Sequence, residues 1–174
     1  IEVSVVDCSN TIVFIRAKDL GIRGTELVEL NGNADVMEHI ERIRCMAAER
    51  CGFVEHWEEA RTKSTSLPKV SIVSPPQDYT DMDGESVGAD SMDLCVRAIS
   101  VGSLHKAYPI TVSVGTGAAA LLEGTIVHEI VNPEPGRCII RLGHASGVTN
   151  VDVKMEGDRV IKGGVTRTAR RIMD

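Results

Sequence analysis

Residues 100–122 read SVGSLHKAYPITVSVGTGAAALL, and this stretch decides how the rest of the chain is arranged. It presents a His-Lys pair, His105 and Lys106, and then enters a helix start at 111–117 that is built almost wholly from small residues. The continuation at 118–122 has no polar face, and a helix that is apolar all round is normally buried at the centre of a domain. We therefore expect a central, buried helix.

The start of this helix is also a candidate binding site for an anion. A first helical turn leaves backbone N–H groups unpaired and carries the positive end of the helix dipole. Glycine lets an anion approach the backbone closely. The residues predict a carboxylate or phosphate site, whose candidate ligands are His105, Lys106, Thr111, Gly115 and Thr116. A glycine-rich core helix without a ligand stays open as the alternative.

Composition limits the class of protein. A chain of 174 residues can form one domain with a substantial core, here 1–174, and only 3% of its residues are aromatic, so Val, Ile, Leu and Ala must fill that core. The formal net charge of -6 argues against a nucleic-acid partner, because phosphate binding normally needs a basic face. No apolar run approaches the ~20 residues of a membrane span, so no membrane partner is expected.

Cysteine usage points to a reducing compartment. The five cysteines are scattered, odd in number and never in a CxxC pair, so neither disulfides nor a zinc site is indicated. We expect a cytoplasmic protein with reduced thiols and no metal.

Hydrophobic periodicity predicts an α+β fold. Residues 34–51 form the clearest helix, with Asn33 as its cap and an apolar stripe that includes Val36 and Ile40. The acidic segment 77–90 is predicted to be a flexible surface insertion or flap. Strands are predicted at 1–6, 11–16, 69–74, 92–100, 125–131, 137–142, 148–155, 159–161 and 165–172. The sum is a curved, mostly antiparallel β-sheet wrapped around the central apolar helix.

Two loops add candidate site residues. His144, Ser146 and Gly147 lie in a glycine-flanked loop between two strands, a common place for binding residues. Ser9 and Asn10 lie in a polar break between the first two strands and are by default turn residues.

The motifs in this order resemble those of the PrpF family. They are the entry strand SVVDCSNTIVFIRAKDLGIRGTEL at 4–27, HKAYPIT at 105–111 with its small-residue helix, GHASG at 143–147 and the closing TRTARRIMD at 166–174. Thr11 and Ala145 stand where the family more often has proline. The family includes 2-methylaconitate cis-trans isomerases, methylitaconate isomerases, 4-oxalomesaconate tautomerases and aconitate isomerases.

The resemblance implies a diaminopimelate epimerase-like fold, in which two similar halves each wrap a sheet around a helix and share a cleft. This chain resembles the second, C-terminal half alone. The general acid and base of the family, a lysine and a cysteine, are expected in the absent first half, so no catalytic residue is assigned to this chain. The more distant epimerases carry a cysteine where this sequence has Val114, which argues against a two-cysteine racemase.

The function implied by the resemblance is cofactor-independent isomerisation or tautomerisation of small unsaturated di- or tricarboxylates through allylic proton transfer. This half would bind carboxylates, with substrate-binding residues carried over to Ser9, Asn10, His105, Lys106, Thr111, Gly115, Thr116, His144, Ser146 and Gly147. The expected partners are the polycarboxylate, the missing N-terminal half and a second copy of the chain in a homo-oligomer. The chain alone is expected to be inactive. A catalytically silent binding or assembly domain of the same fold is the alternative.

Overall fold

The computed structural model describes residues 1–166, so the predicted last strand at 165–172 lies almost wholly outside the described residues. The strands are β1 Val3–Cys8, β2 Asn10–Arg16, β3 Lys69–Ser74, β4 Tyr79–Thr80, β5 Ser86–Val87, β6 Leu94–Ser100, β7 Ser103–Leu104, β8 Ile139–His144, β9 Gly147–Glu156 and β10 Arg159–Val165. The helices are α1 Ala34–Arg50, α2 Ala60–Lys63, α3 Ile110–Leu121 and α4 Ile126–Val131.

One sheet of eight strands contains all of these strands except β4 and β5, which pair as a separate hairpin. Its order is β1-β2-β3-β6-β8-β9-β10, with β7 paired to β6. The β2–β3 and β6–β8 pairs are parallel, whereas the remaining pairs are antiparallel. The prediction of an α+β fold with a mostly antiparallel sheet is confirmed.

Alternate residues of β2 serve two cores on opposite faces of the sheet. Ile12 and Phe14 pack in the cluster that contains α3, whereas Val13 and Ile15 pack in the cluster beneath α1. All four side chains are fully buried, as the two-residue period of a strand between two helical layers requires.

Helix α3 is the centre that the sequence predicts. It packs against β1 and β2 at one end of the sheet and against β8, β9 and β10 at the other, so the sheet curves around it. Close approach is possible because Gly117 has no side chain: a Cβ there would lie 2.7 Å from Cγ2 of Val153. From the other side, a Cβ on Gly163 of β10 would lie 2.5 Å from Cγ1 of Val114.

Helix α1 confirms the amphipathic prediction. It spans Ala34–Arg50, and the side chain of Asn33 accepts a hydrogen bond from the N–H of Val36 at its start. Among the described residues, no helix is both long and apolar enough to cross a membrane.

The strand predicted at 125–131 is wrong, because this segment forms helix α4. The hydroxyl of Thr125 accepts from the N–H of His128 at 3.0 Å and donates to the carbonyl of Ala119 at 2.6 Å. Buried Ile126 and Val127 then pack beside α3. A short apolar run has no period of its own, so the cap and the tertiary contacts decide its conformation.

The prediction of a flexible insertion at 77–90 is also wrong. The segment contains the β4–β5 hairpin, and the side chain of Tyr79 is buried. The Tyr79 hydroxyl donates to the carbonyl oxygens of His144 at 2.7 Å and Gly147 at 2.9 Å. The hairpin is therefore docked on the glycine-flanked loop 143–147.

Candidate functional site

Among the described residues, the backbone donors at the start of α3 have no hydrogen-bond acceptors. The residue before the helix is Pro109, which has no side-chain polar atom and makes no capping hydrogen bond. The first N–H to reach a carbonyl is that of Ser113, 2.8 Å from the oxygen of Pro109. Within residues 1–166, no acceptor pairs with the N–H groups of Ile110, Thr111 and Val112, so this helix end attracts anions.

The turn between β1 and β2 lies against this helix end. Ser9 occupies the left-handed region with a φ of 66°, which turns the chain sharply between the two strands. The side-chain amide of Asn10 donates to the Thr111 hydroxyl at 2.7 Å. The structure thus brings together two predicted site residues that are 101 positions apart.

The segment before the helix presents the predicted His-Lys pair. His105 and Lys106 are exposed, and the N–H of His105 donates to the carbonyl of Ala98 at 2.8 Å. Nδ1 of His105 lies 2.7 Å from the carbonyl oxygen of Ala107. Among the described residues, no carboxylate forms an ion pair with the Lys106 ammonium, so its charge is available to a ligand.

The loop 143–147 contacts the same segment. The Ser146 hydroxyl donates to the carbonyl oxygen of Lys106 at 2.5 Å. Gly147 has a φ of 102°, a left-handed conformation that favours glycine, and it starts β9. The contacts of Asn10 and Ser146 are therefore both made to residues 106–111, which lead into and begin α3.

His144 belongs to this loop, and its side chain is buried, with 7% of the residue exposed. Its Nδ1 accepts the N–H of Ser146 at 3.2 Å, and its Nε2 lies 2.7 Å from the hydroxyl of Thr149. Burial, assisted by the charge of Arg97 and opposed by Asp81, lowers the pKa of His144 to about 4. The imidazole is therefore neutral near pH 7.

The structure does not place Gly115 and Thr116 at the helix mouth. Because α3 begins at Ile110, both residues lie inside the helix, and Thr116 is fully buried. The Thr116 hydroxyl is 2.8 Å from the carbonyl of Val112 and 2.7 Å from the Tyr108 hydroxyl. Gly115 instead permits contact with Ile12, where an added Cβ would clash. The expectation that the polar groups of Gly115 and Thr116 line the helix mouth is therefore wrong.

Sequence reasoning missed both tyrosines near the site. Tyr108 is 7% exposed, and its hydroxyl lies 2.6 Å from that of Ser71. Its ring stacks on His144 with a centroid distance of 6.5 Å and an interplanar angle of 11°. Burial raises the pKa of Tyr108 and of Tyr79 to about 12, so both hydroxyls stay protonated. The chain has only two tyrosines, and that rarity was the available signal.

Sequence reasoning also missed Arg97. This residue lies on β6, and a charged residue is not expected at a buried position of a strand. It is 1% exposed, and its guanidinium donates to the backbone carbonyls of Glu26 and Thr25 at 2.8 and 2.9 Å. The same group stacks over the Tyr79 ring at 4.9 Å. Burial lowers the pKa of Arg97. Arg97 therefore links the 25–26 loop to the hairpin that supports loop 143–147.

The described residues contain no cluster of side chains that could bind a metal ion. Across residues 1–166, no group of three or more His, Cys, Asp or Glu side chains is placed to hold a metal ion.

Comparison with known proteins identifies the family to which the whole chain is similar. Residues 1–174 match the family described as PrpF protein. The chain is 37% identical over 176 residues to 3-methylitaconate isomerase of Eubacterium barkeri, which covers 100% of this chain and 46% of that protein. It is 37% identical over 167 residues to 2-methyl-aconitate isomerase of Shewanella oneidensis, covering 93% of this chain and 42% of that protein.

A solved structure agrees with the fold. The crystal structure of methylitaconate-delta-isomerase superposes with a TM-score of 0.92 at 37% identity, over 99% of this chain and 45% of that one. The chain thus spans about half the length of the relatives that it matches. The family match over all residues, together with these identities, places the chain in the PrpF family.

Proposed function

We propose that this chain is the carboxylate-binding part of an isomerase that acts on small unsaturated di- or tricarboxylates without a cofactor. The observation that carries the proposal is the first turn of α3: among residues 1–166 its N–H groups have no acceptor, and Lys106, four positions before the helix, forms no ion pair. The relatives support the substrate class, since those at 37% identity are named as isomerases of 3-methylitaconate and 2-methyl-aconitate. A more distant relative from Pseudomonas putida, 26% identical, is named 4-oxalomesaconate tautomerase.

The arrangement suits the charge that such a reaction develops. Removing an allylic proton leaves a carbanion whose charge spreads into the neighbouring carboxylate. Helix N–H dipoles and an ammonium group stabilise that charge if they are already oriented when it forms. The side chains of Asn10 and Thr111 form a hydrogen bond with each other. They lie at the same helix turn and add further hydrogen-bonding groups to it.

We assign proton transfer to residues outside this chain. Val114, at the position where distant epimerases carry a thiol, cannot exchange a proton. His144 has both ring nitrogens engaged, and the buried Tyr108 hydroxyl has a pKa of about 12. The other half of the protein is thus the proposed source of the acid and base, and also the proposed partner across the site.

Binding is tested by titrating the 174-residue chain with propane-1,2,3-tricarboxylate, a saturated and therefore unreactive probe, while amide NMR shifts are followed. We expect saturable shifts at Ile110 and Thr111. We expect Lys106→Met to weaken binding by about tenfold, the loss of one charge-assisted contact. Lys154→Met is the matched control, because Lys154 is an exposed lysine on β9 and should leave affinity unchanged.

Two results would contradict the proposal. Equal losses in both lysine variants would show that the anion binds by general surface charge. Turnover of cis-aconitate by the purified chain, at a rate comparable with that of a full-length relative, would show that the proton-transfer groups are present here.

A further inference from the structure

We propose that His144 is a positioning residue that acts through Ser146 and Tyr108 on the segment bearing Lys106, and that it does not contact the substrate. The part of this inference that concerns ligand affinity rests on the proposed function. The part that concerns the ring and its neighbours does not.

Both ring nitrogens of His144 are already committed inside the protein. Nδ1 accepts the N–H of Ser146, so the proton of the neutral ring belongs on Nε2, which then donates to the Thr149 hydroxyl. A neutral imidazole has one donor and one acceptor, and both are used here. The ring therefore offers no free nitrogen to a carboxylate.

The 105–109 segment is held at two points, one through Ser146 and one through its own residue Tyr108. Ser146, fixed by Nδ1, donates its hydroxyl to the Lys106 carbonyl at 2.5 Å. Tyr108 stacks on the imidazole, and its hydroxyl is anchored to Ser71 and Thr116. The backbone on both sides of Ala107 is thus fixed relative to α3, which determines where the Lys106 side chain starts.

Hydrogen bonds from the β4–β5 hairpin hold the backbone of loop 143–147. The Tyr79 hydroxyl donates to the His144 carbonyl, and the N–H of Met82 donates to the Ala145 carbonyl at 2.8 Å. The docked β4–β5 hairpin therefore holds the backbone of the loop at His144 and Ala145. A binding constellation has to be held within about 0.5 Å of its productive geometry, and supporting residues of this kind provide that precision.

The state of the ring is tested directly by nitrogen-15 NMR of histidine-labelled protein. We expect His144 to be the neutral Nε2–H tautomer at pH 7, with unchanged ring shifts when propane-1,2,3-tricarboxylate saturates the site. A ring protonated on Nδ1, or a ring whose nitrogens shift on saturation, would overturn the proposal. The tautomer at pH 7 does not depend on whether the proposed function is correct, whereas the response to the tricarboxylate does.

The mechanical link is tested with two variants of one residue. His144→Phe keeps a ring to stack on Tyr108 but removes the acceptor for Ser146, whereas His144→Asn retains an acceptor near the Nδ1 position. We expect His144→Phe to weaken probe binding by about fivefold to tenfold, the equivalent of one hydrogen bond, and His144→Asn to restore most of it. Ser146→Ala, a change at an exposed hydroxyl that leaves the core intact, should match His144→Phe.

A double variant separates positioning from a general structural effect. If His144 acts through Lys106, adding His144→Phe to Lys106→Met should cause no further loss of affinity. A further loss of the same size as in the wild-type background would overturn the proposal. If the wild-type chain binds no tricarboxylate, the proposed function fails, while hydrogen exchange of the Ser146 amide in His144→Phe still decides whether the ring holds the loop: we expect faster exchange, and unchanged exchange would refute it.

Discussion

The two ends of α3 differ in whether their backbone groups have hydrogen-bond partners. At the C-terminal end, the hydroxyl of Thr125 donates to the carbonyl of Ala119, and Nδ1 of His128 donates to that of Ala120 at 3.0 Å. At the N-terminal end, Pro109 provides no cap and the first-turn N–H groups are left without internal acceptors among the described residues. The N–H groups and the positive dipole of such an open helix end attract anions, and Lys106, which forms no ion pair among the described residues, precedes it by four positions, so a ligand is expected at this end.

The largest effect should come from the middle of the helix, which both ends share. Gly117→Val would drive a β-branched side chain into Val151 and Val153, so we expect a loss of about 3 kcal/mol in the free energy of unfolding. Urea denaturation measures it. Gly32→Ala, where an added Cβ meets nothing within 4 Å, is the control and should be near neutral. A tolerated Gly117→Val would mean that α3 is not tightly packed.

The next largest effect is a pH dependence of stability that comes from His144, which supports the segment before the open end. The pKa of His144 is lowered to about 4 from an ordinary value of 6.5, so the unfolded chain binds a proton between these values that the folded chain does not. Stability should fall as pH drops from about 6.5 to 4, by about 2–3 kcal/mol from this group. Comparing urea midpoints of the wild type with those of His144→Asn checks this, since the variant should show a flatter pH dependence. Parallel curves would contradict it.

The closed end should affect stability without affecting ligands. Thr125→Val keeps the shape of the side chain but removes the hydroxyl that serves both Ala119 and His128, which should lower stability by about 1–2 kcal/mol. Probe affinity should stay unchanged in the folded protein. A loss of affinity comparable with that of Lys106→Met would show that the two ends are not separate in function.

The smallest change in stability should accompany the sharpest change in binding. Ile110 is exposed at the first position of α3, and Ile110→Asp places a carboxylate against the positive helix end. We expect a gain of about 0.5 kcal/mol in stability together with loss of probe binding, because the new carboxylate occupies the anion site. Ile161→Asp, at a similarly exposed position on β10, should leave probe affinity unchanged. Retained binding in Ile110→Asp would place the ligand elsewhere.

Sequence reasoning succeeds where a local pattern decides the structure. The stripe of α1 and the all-apolar character of α3 each predict an element and its burial, and both are observed. The Ser9-Asn10 break also falls at the observed turn. It fails for α4, because the run from Ile126 to Val131 is compatible with a strand until Thr125 and α3 are in place.

The candidate site depends largely on contacts that no local pattern contains. The Asn10–Thr111 and Lys106–Ser146 hydrogen bonds join residues 101 and 40 positions apart. The docking of Tyr79 on loop 143–147 likewise follows from the sheet order, which places β6 beside β8. Motif order indicates which segments belong to the site, whereas the structure determines which of their atoms are free and which are engaged.

The glycines that border α3 have a consequence for how the binding end can vary. Gly117 leaves no gap between the helix and β9, and Gly163 leaves none between β10 and Val114. A larger residue at either position would force a shift of Val153 on β9 or of Val114 on α3, and we expect a shift of the helix to carry its first turn along. The position of the anion-binding turn therefore depends on the volume of side chains packed about two turns further along the helix. A mutational search for altered ligand preference should include these core positions as well as the polar residues around Lys106.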